Sequence, residues 1–229
     1  MKDFSALEKL IGINFEDQKL LNKAFIHRSY LNEAKEAESN ERMEFLGDAV
    51  LELVATEHLF LNHPEQAEGE MTNFRSALVK GKHLAEIGKT LKLGKYLYLS
   101  HGEENSGGRE KNYILANTVE ALIGAIYLDK GMEKSKKFIE EFILAKLDEI
   151  IANDLHIDSK TQFQEIAQDK VDETPSYKVL QEEGPDHNKI FQCGVYLKGK
   201  VAGKGKGSSK QNAEEAAAKD ALIKKGWTK

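Results

Sequence analysis

Glu41, Glu44 and Asp48 stand three and four residues apart in the stretch NERMEFLGDAVLEL, residues 40–53. At about 100° per residue, a helix over this stretch places the three carboxylates within about 60° of arc. Leu46, Ala49, Val50 and Leu53 fall on another face, and Met43, Leu46, Val50 and Leu53 read as the residues that bury the helix. Each like-charge pair at this spacing costs an isolated helix about 0.2–0.5 kcal/mol. Positions 45, 48 and 52, where a base would relieve the pairs, hold Phe, Asp and Glu. A divalent cation is the economical partner for such a cluster. Two plainer readings stay open. Glu41 follows Ser39 and Asn40 at a helix start, where the dipole favours acids, and all three acids can line a solvated stripe.

A second segment bears on the choice. LANTVEALIGAIYL (115–128) is apolar almost all round and reads as a central helix. Asn117 and Glu120 lie one turn apart on it. An unpaired buried carboxylate is strongly unfavourable, so Glu120 either ligates a metal beside the first helix or pairs with Arg28 or Arg75. Oxygen donors alone suit Mg²⁺, or Mn²⁺ in its place, rather than zinc. A di-iron bundle needs Glu-x-x-His, and none of the seven histidines has Glu three residues before it. A carboxylate site with divalent ions suits water-driven cleavage of phosphodiesters.

A run of helices must position these groups. From Phe4 to about Ile151 apolar residues return every three or four positions, in FSALEKLIG, QKLLNKAFIHRSYL, MEFLGDAVLELVATEHLF, MTNFRSALVKGKHLAEIGKTL, ILANTVEALIGAIYL and SKKFIEEFILAKLDEII. Gly12, Gly94 and Gly131 punctuate them. Residues 1–151 therefore read as an all-helical domain, and 152–158, poor in large apolar residues, as a linker with Asp158 or Ser159 as the next cap. Residues 159–229 change pattern. TQFQEIAQDK is helical, while SYKVLQEEG, KIFQCGVYLKG and KVAGKGKG are strand-like. SSKQNAEEAAAKDALIKKG is an Ala-rich helix capped by Ser208 or Ser209. The expected fold class is multidomain α and α+β, a helical domain followed by an α-β-β-β-α domain.

Composition narrows the functional classes. The 229 residues are 40% apolar, enough to bury a core. Net charge is −5, which argues against a simple polybasic nucleic-acid binder. It is uneven, at +3 over residues 159–229 and −8 over 1–158, which suggests two modules with different work. The lone Cys193 excludes an internal disulfide and a Cys-rich zinc site. MKDFSALEKLIGINFED lacks the apolar run of a signal peptide, and no segment approaches the ~20 apolar residues that span a bilayer. The expectation is a cytoplasmic protein with no membrane partner.

NERMEFLGDAVLEL resembles the signature of ribonuclease III, N-E-R-L-E-F-L-G-D-[AS] in many members. AFIHRSYLNE, AEGEMTNFRSALV and ILANTVEALIGAIYLD resemble further segments of that family. Residues 159–229 resemble the double-stranded-RNA-binding domain of its bacterial members. The resemblance implies a homodimeric endonuclease that cuts double-stranded RNA with divalent ions and has no small-molecule substrate. It implies 5′-phosphate and 3′-hydroxyl ends with a two-nucleotide 3′ overhang, and ribosomal RNA precursors among the substrates. It implies metal-ligand or catalytic positions for Glu44, Asp48 and Glu120, the last two closest to the chemistry. Glu41 and Glu68 fall on outer acidic positions that line the cleft and dimer seam. Where many members have Asp, this chain has Asn117, whose carbonyl oxygen can meet a hard cation but brings no charge. The full set of acids favours an enzyme over a non-cleaving RNA-binding regulator.

A-form RNA is read through 2′-hydroxyls and phosphate spacing. Gln162 and Glu165, on the first helix of the second domain, can reach one minor groove. The turn GPDHNK (184–189) can place His187 in the next. Lys210, beside the Ser209 cap, can bridge the intervening phosphates. The plainer reading of Lys204, Lys206 and Lys210 is a solubilising charge run. Gly47 costs its helix about 1 kcal/mol relative to Ala, so something packs against it, either a partner subunit or a neighbouring helix. His27 and Arg28 read as structural hydrogen-bonders. HGEENSGGREKN (101–112) reads as a surface loop whose Arg109 and Lys111 either touch RNA or are solvated.

Overall fold

The computed structural model describes residues 2–34, 36–152, 159–185 and 189–227. The chain divides into two compact units, Met1–His156 and Ile157–Lys229. The first is helical. α1 (Ser5–Ile11) buries Leu7 and Ile11 and ends at Gly12, whose φ of 65° is open to glycine. α2 (Gln18–Ala24) opens on Asp17, whose carboxylate accepts the Lys19 N–H. The periodicity carries this helix on to Leu31, but it stops at Ala24. Phe25 is fully buried and stacks on Phe4 at 5.1 Å. Its carbonyl accepts the Tyr98 N–H, and the Tyr98 carbonyl accepts the His27 N–H. Long-range partners thus replace the helical ones, and a short 3₁₀ turn follows at Arg28–Asn32.

α3 (Glu41–Asn62) and α7 (Asn112–Phe142) form the centre of this unit. α3 buries Met43, Gly47, Val50, Leu51, Val54, Ala55 and Leu59. Leu46 is half-buried, and Leu53 is not in the core at all, being 58% exposed. Between α3 and α7 the chain forms α4 (Glu68–Val79) and α5 (Gly81–Thr90), which the sequence pattern reads as one helix. They part at Lys80, where ψ of 131° turns the backbone to extended and lets the Lys80 carbonyl start α5. The supposed loop 101–112 is largely structured, with α6 (His101–Asn105), capped by Ser100, and a 3₁₀ turn Gly108–Glu110. α7 bends at Gly131 (φ 78°), and α8 (Leu147–Ala152) follows.

The second unit runs α9 (Ser159–Val171), β1 (Ser176–Glu183), β2 (Ile190–Leu197), β3 (Lys200–Gly207) and α10 (Lys210–Lys225). The strands form one antiparallel sheet in the order β1-β2-β3. The run KVAGKGKG has a packing reason. A Cβ on Gly203, Gly205 or Gly207 would fall 2.5, 2.2 or 2.5 Å from the backbone of α10. Glycine on alternate residues lets the Ala-rich helix lie directly on β3, and Lys204 and Lys206, at the intervening positions, belong to the opposite face. Phe163, Cys193, Val195, Ala217 and Ala221 fill this small core, and Trp227 packs on Phe163 at 5.6 Å. Among the described residues no helix is long and apolar enough to cross a membrane.

Candidate active site

α3 crosses α7 backbone against backbone. A Cβ on Gly47 would fall 1.8 Å from the Glu120 carbonyl oxygen, and one on Gly124 would fall 2.3 Å from that of Met43. The group packed against Gly47 is thus a helix of the same chain. The glycine pair closes the crossing far enough for the acids of α3 to meet those of α7. Asn117 Nδ2 donates to Glu44 Oε1 at 2.9 Å. Asp48 and Glu44 both act on Glu120 by like-charge repulsion.

The electrostatics follow from burial without a base. Burial pushes the Glu120 carboxyl up to about 7, and the charges of Asp48 and Glu44 add to the rise. Glu44 is raised as well, chiefly by burial. The Asn117 bond opposes that rise, while Glu41 and Asp48 reinforce it. The two candidate counter-ions are engaged elsewhere. Arg28 lies 3.6 Å from Glu41, which also accepts from Ser39 Oγ at 2.9 Å. Arg75 lies 3.8 Å from Glu52 and donates to Thr56 at 3.0 Å. Among the described residues no lysine or arginine pairs with Glu44, Asp48 or Glu120. Burial lowers the His27 pKa, and its Nδ1 accepts the Ser29 N–H, as a structural hydrogen-bonder does.

Not every expected group joins the cluster. Glu41 sits at its edge, in the first turn of α3 and beside Arg28. Glu68 opens α4, is exposed, and accepts from Thr72 at 3.1 Å, and among the described residues no hydrogen bond joins it to the other acids. Among the described residues no three His, Cys, Asp or Glu side chains are gathered closely enough to enclose an ion. The donor set of Glu44, Asp48 and Glu120 still suits a hard cation, being oxygen-only, mutually repelling and free of any base, with Glu44 and Glu120 half-buried and Asp48 exposed beside them. Asn117 turns its amide nitrogen to Glu44, so its oxygen serves a cation only after the amide rotates. That hydrogen bond has no local signal in the sequence, since it joins residues 73 apart. Arg109 and Lys111, read as either touching RNA or solvated, are instead held by Glu104 and Glu103 at 2.7 and 2.6 Å.

In the second unit Ser209 caps α10, its hydroxyl accepting the Asn212 N–H at 3.1 Å. Lys210 opens the helix, is exposed, and lies 3.7 Å from Glu182 and 5.7 Å over the Phe191 ring. Glu182, which also lies 3.6 Å from Lys189, has no signal in the sequence as their counter-ion. On α9, Glu165 is exposed and Gln162 half-buried. His187 lies outside the described residues.

The ribonuclease-III-like family matches residues 17–147, and the double-stranded RNA binding motif matches residues 159–225. Ribonuclease 3 of Chloroflexus aurantiacus is 45% identical over 97% of this chain and 91% of its own. Ribonuclease 3 of Listeria welshimeri is 43% identical over 97% of each chain. The solved nuclease domain of ribonuclease III from Campylobacter jejuni, described for flexibility in its dimer-forming region, aligns at a TM-score of 0.59 and 42% identity. That alignment covers 62% of this chain and 97% of that one. With the helical unit matched over residues 17–147, the α-β-β-β-α unit over 159–225, and ribonuclease 3 relatives aligned along nearly the whole sequence, the chain belongs to the bacterial ribonuclease III family of double-stranded-RNA endonucleases.

Proposed function

We propose that this chain hydrolyses double-stranded RNA with Mg²⁺, or Mn²⁺ in its place, and leaves 5′-phosphate and 3′-hydroxyl ends with two-nucleotide 3′ overhangs. Its substrates are ribosomal RNA precursors and other structured transcripts of the cytoplasm. Residues 1–151 carry the nuclease and 159–229 hold the duplex; of the expected linker 152–158, Ala152 closes α8 and 153–158 lie outside the described residues. The observation that carries this reading is Glu120, half-buried against Glu44 and Asp48 with no cation from the described residues and a carboxyl pushed up to about 7. Glu44, Asp48 and Glu120 hold the ion, and Asn117 orients Glu44 through its amide. When bound, the ion supplies charge neutralisation and Lewis acidity at the phosphodiester. Arg28 restrains Glu41 at the rim of the cluster.

The chain works as a homodimer. Phe45, Ala49, Leu53 and Phe60 share one exposed face of α3, with Phe45 80% and Phe60 69% exposed. A solvent-facing apolar stripe of this kind supports a partner surface, and Glu68 reaches the outer cleft through that assembly. In the second unit Gln162, Glu165 and His187 address minor grooves, and Lys210 takes phosphate. The test is incubation of the purified chain with end-labelled duplex RNA, with and without Mg²⁺, followed by mapping of the product ends. Metal-dependent staggered cuts are expected. Duplex binding with no cleavage in either metal would make the protein a non-cleaving RNA-binding regulator instead.

A further inference from the structure

A second concave region lies on the other side of α7 from the acids. It is a cavity of about 520 Å³ lined by Lys89, Lys92, Lys95, Arg109, Glu110 and Leu115, among others. At 100° per residue, Leu115 projects about 140–160° away from Glu120 and Asn117 around the α7 axis. The cavity therefore opens away from the carboxylate cluster. Its volume falls in the ~300–1,000 Å³ range of small-molecule sites.

Its charge runs against its surroundings. Residues 1–158 carry a net charge of −8, yet four of the lining side chains are cationic and one is acidic. Arg109 is committed. Its Nη1 donates to the Gly94 and Leu97 carbonyls at 2.8 and 3.0 Å, and its Nε to Glu104 at 2.7 Å. Lys89, Lys92 and Lys95 are exposed and have no ion pair among the described residues. Lys2 adds a further ammonium behind the same wall, donating to the Lys95 and Leu97 carbonyls at 3.2 and 2.8 Å.

The wall itself is closely built. A Cβ on Gly94 would fall 2.4 Å from the Arg109 carbonyl oxygen, and Lys92 sits at φ 55°, a left-handed conformation that L residues rarely adopt. Lys89, Lys92 and Lys95 line one cavity and are paired with no carboxylate among the described residues, so an anion placed there meets several ammonium groups at once. With the guanidinium already occupied, the free donors are ammonium point charges. Those suit the several oxygens of a phosphate group better than a carboxylate that seeks a bidentate fork. We propose that this cavity binds a small phosphorylated anion, separately from the catalytic cluster.

The experiment titrates the full-length protein calorimetrically with sodium tripolyphosphate in metal-free buffer. Binding is expected, and Lys92→Gln/Lys95→Gln should weaken it at least about tenfold, as two lost charge contacts require. Lys204→Gln/Lys206→Gln, in the other unit, should bind as the parent does. Prior saturation with duplex RNA should leave the tripolyphosphate affinity unchanged, and the Lys92/Lys95 variant should cleave duplex RNA normally. Equal affinity in the parent and the Lys92/Lys95 variant overturns the proposal, as does no measurable binding. Competition by duplex RNA also overturns it, by assigning the cavity to the RNA track. If the double variant unfolds, Lys89→Gln alone, at an exposed helical position, decides in the same way.

Discussion

Glycines let backbone meet backbone at the heart of both units, but the charges above the two contacts are opposite in kind. Gly47 and Gly124 close the α3–α7 crossing, and half-buried Glu44 and Glu120 meet there with Asp48. Gly203, Gly205 and Gly207 seat α10 on β3, and the lysines between them lie exposed on the other face or its edge. The same packing device thus builds one site that holds an electrostatic cost and one that holds almost none. Buried like charges await a proton or a cation, whereas solvated lysines sit in high dielectric and simply present charge. Burial puts the acidic cluster under electrostatic strain, and the exposed lysine face carries none.

Neutralising the strained side should have the largest effect. Glu120→Gln should lower cleavage by ~10³-fold or more, as loss of a group at the reacting centre does, with duplex binding retained. Normal turnover at ordinary Mg²⁺ would refute the role given to Glu120. The same change should alter stability in a defined direction. The Glu120 carboxyl is raised from 4.5 to about 7 in the fold, so the folded state holds its proton more firmly than the unfolded chain does. Its contribution to stability is fully present below 4.5 and lost as pH rises through about 7. Metal-free parent protein should therefore lose Tm between about pH 5.5 and pH 8, and Glu120→Gln should lose less. Identical pH slopes for the two proteins would contradict the buried-acid account. Mg²⁺ at the upper pH should restore Tm in the parent only.

Filling the glycine contacts comes next. Gly47→Ala and Gly205→Ala each force a Cβ to within 1.8 or 2.2 Å of backbone, and each should cost its own unit about 3 kcal/mol or more. Trp227, the sole tryptophan, packs in the second unit, so its fluorescence reports that unit while helical circular dichroism reports mainly the first. Gly47→Ala should move the dichroism transition in urea and leave the fluorescence transition in place, and Gly205→Ala should do the reverse. A variant that shifts both transitions together would show that the two contacts are not independent.

On the unstrained side the effects are smaller. Lys210→Ala should weaken duplex binding about five- to tenfold, uniformly across sequences, and reduce the salt slope by about 1. Loss of the Glu182 pairing in the free protein offsets part of it. A sequence-dependent defect or an unchanged slope would remove Lys210 from the phosphate track. The smallest change is expected for Asn117→Asp. It deletes the donor to Glu44 and adds a carboxylate, so the metal-free cluster is worse while its attraction for a cation is greater. The Mg²⁺ concentration at half-maximal rate should fall by a modest factor. A titration showing an equal or higher requirement would mean that the amide is already the better residue.

The acids themselves were legible in the sequence because their spacing on a helix is a local property. Glu44, Asp48, Asn117 and Glu120 each lie where the periodicity of their own helix places them, and the α-β-β-β-α order of the second unit follows from alternation and from Ala and Gly content. Leu53 shows where such reading stops. Its period matches that of Val50, yet one is in the core and the other is solvent-facing, because amphipathic spacing marks an apolar side without saying whether it faces the same chain. Phe25 ends a helical segment with no Pro or Gly beside it, and Lys80 ends another just before Gly81. Tyr98 competes for the backbone in the first case, and in the second the extended Lys80 caps the start of α5.

Residue type and spacing thus set the element types, the two-unit order and the identity of the acidic side chains, since these depend on interactions within a few residues. The tertiary fold alone decided that Gly47 meets α7, that Glu120 is paired with neither Arg28 nor Arg75, and that Asn117 gives its nitrogen to Glu44. It also gathered Lys89, Lys92 and Lys95 with Arg109 around one cavity. Burial and charge proximity, which raise Glu120 to about 7, depend on distances between residues far apart in the chain, and those distances exist only once the helices have crossed.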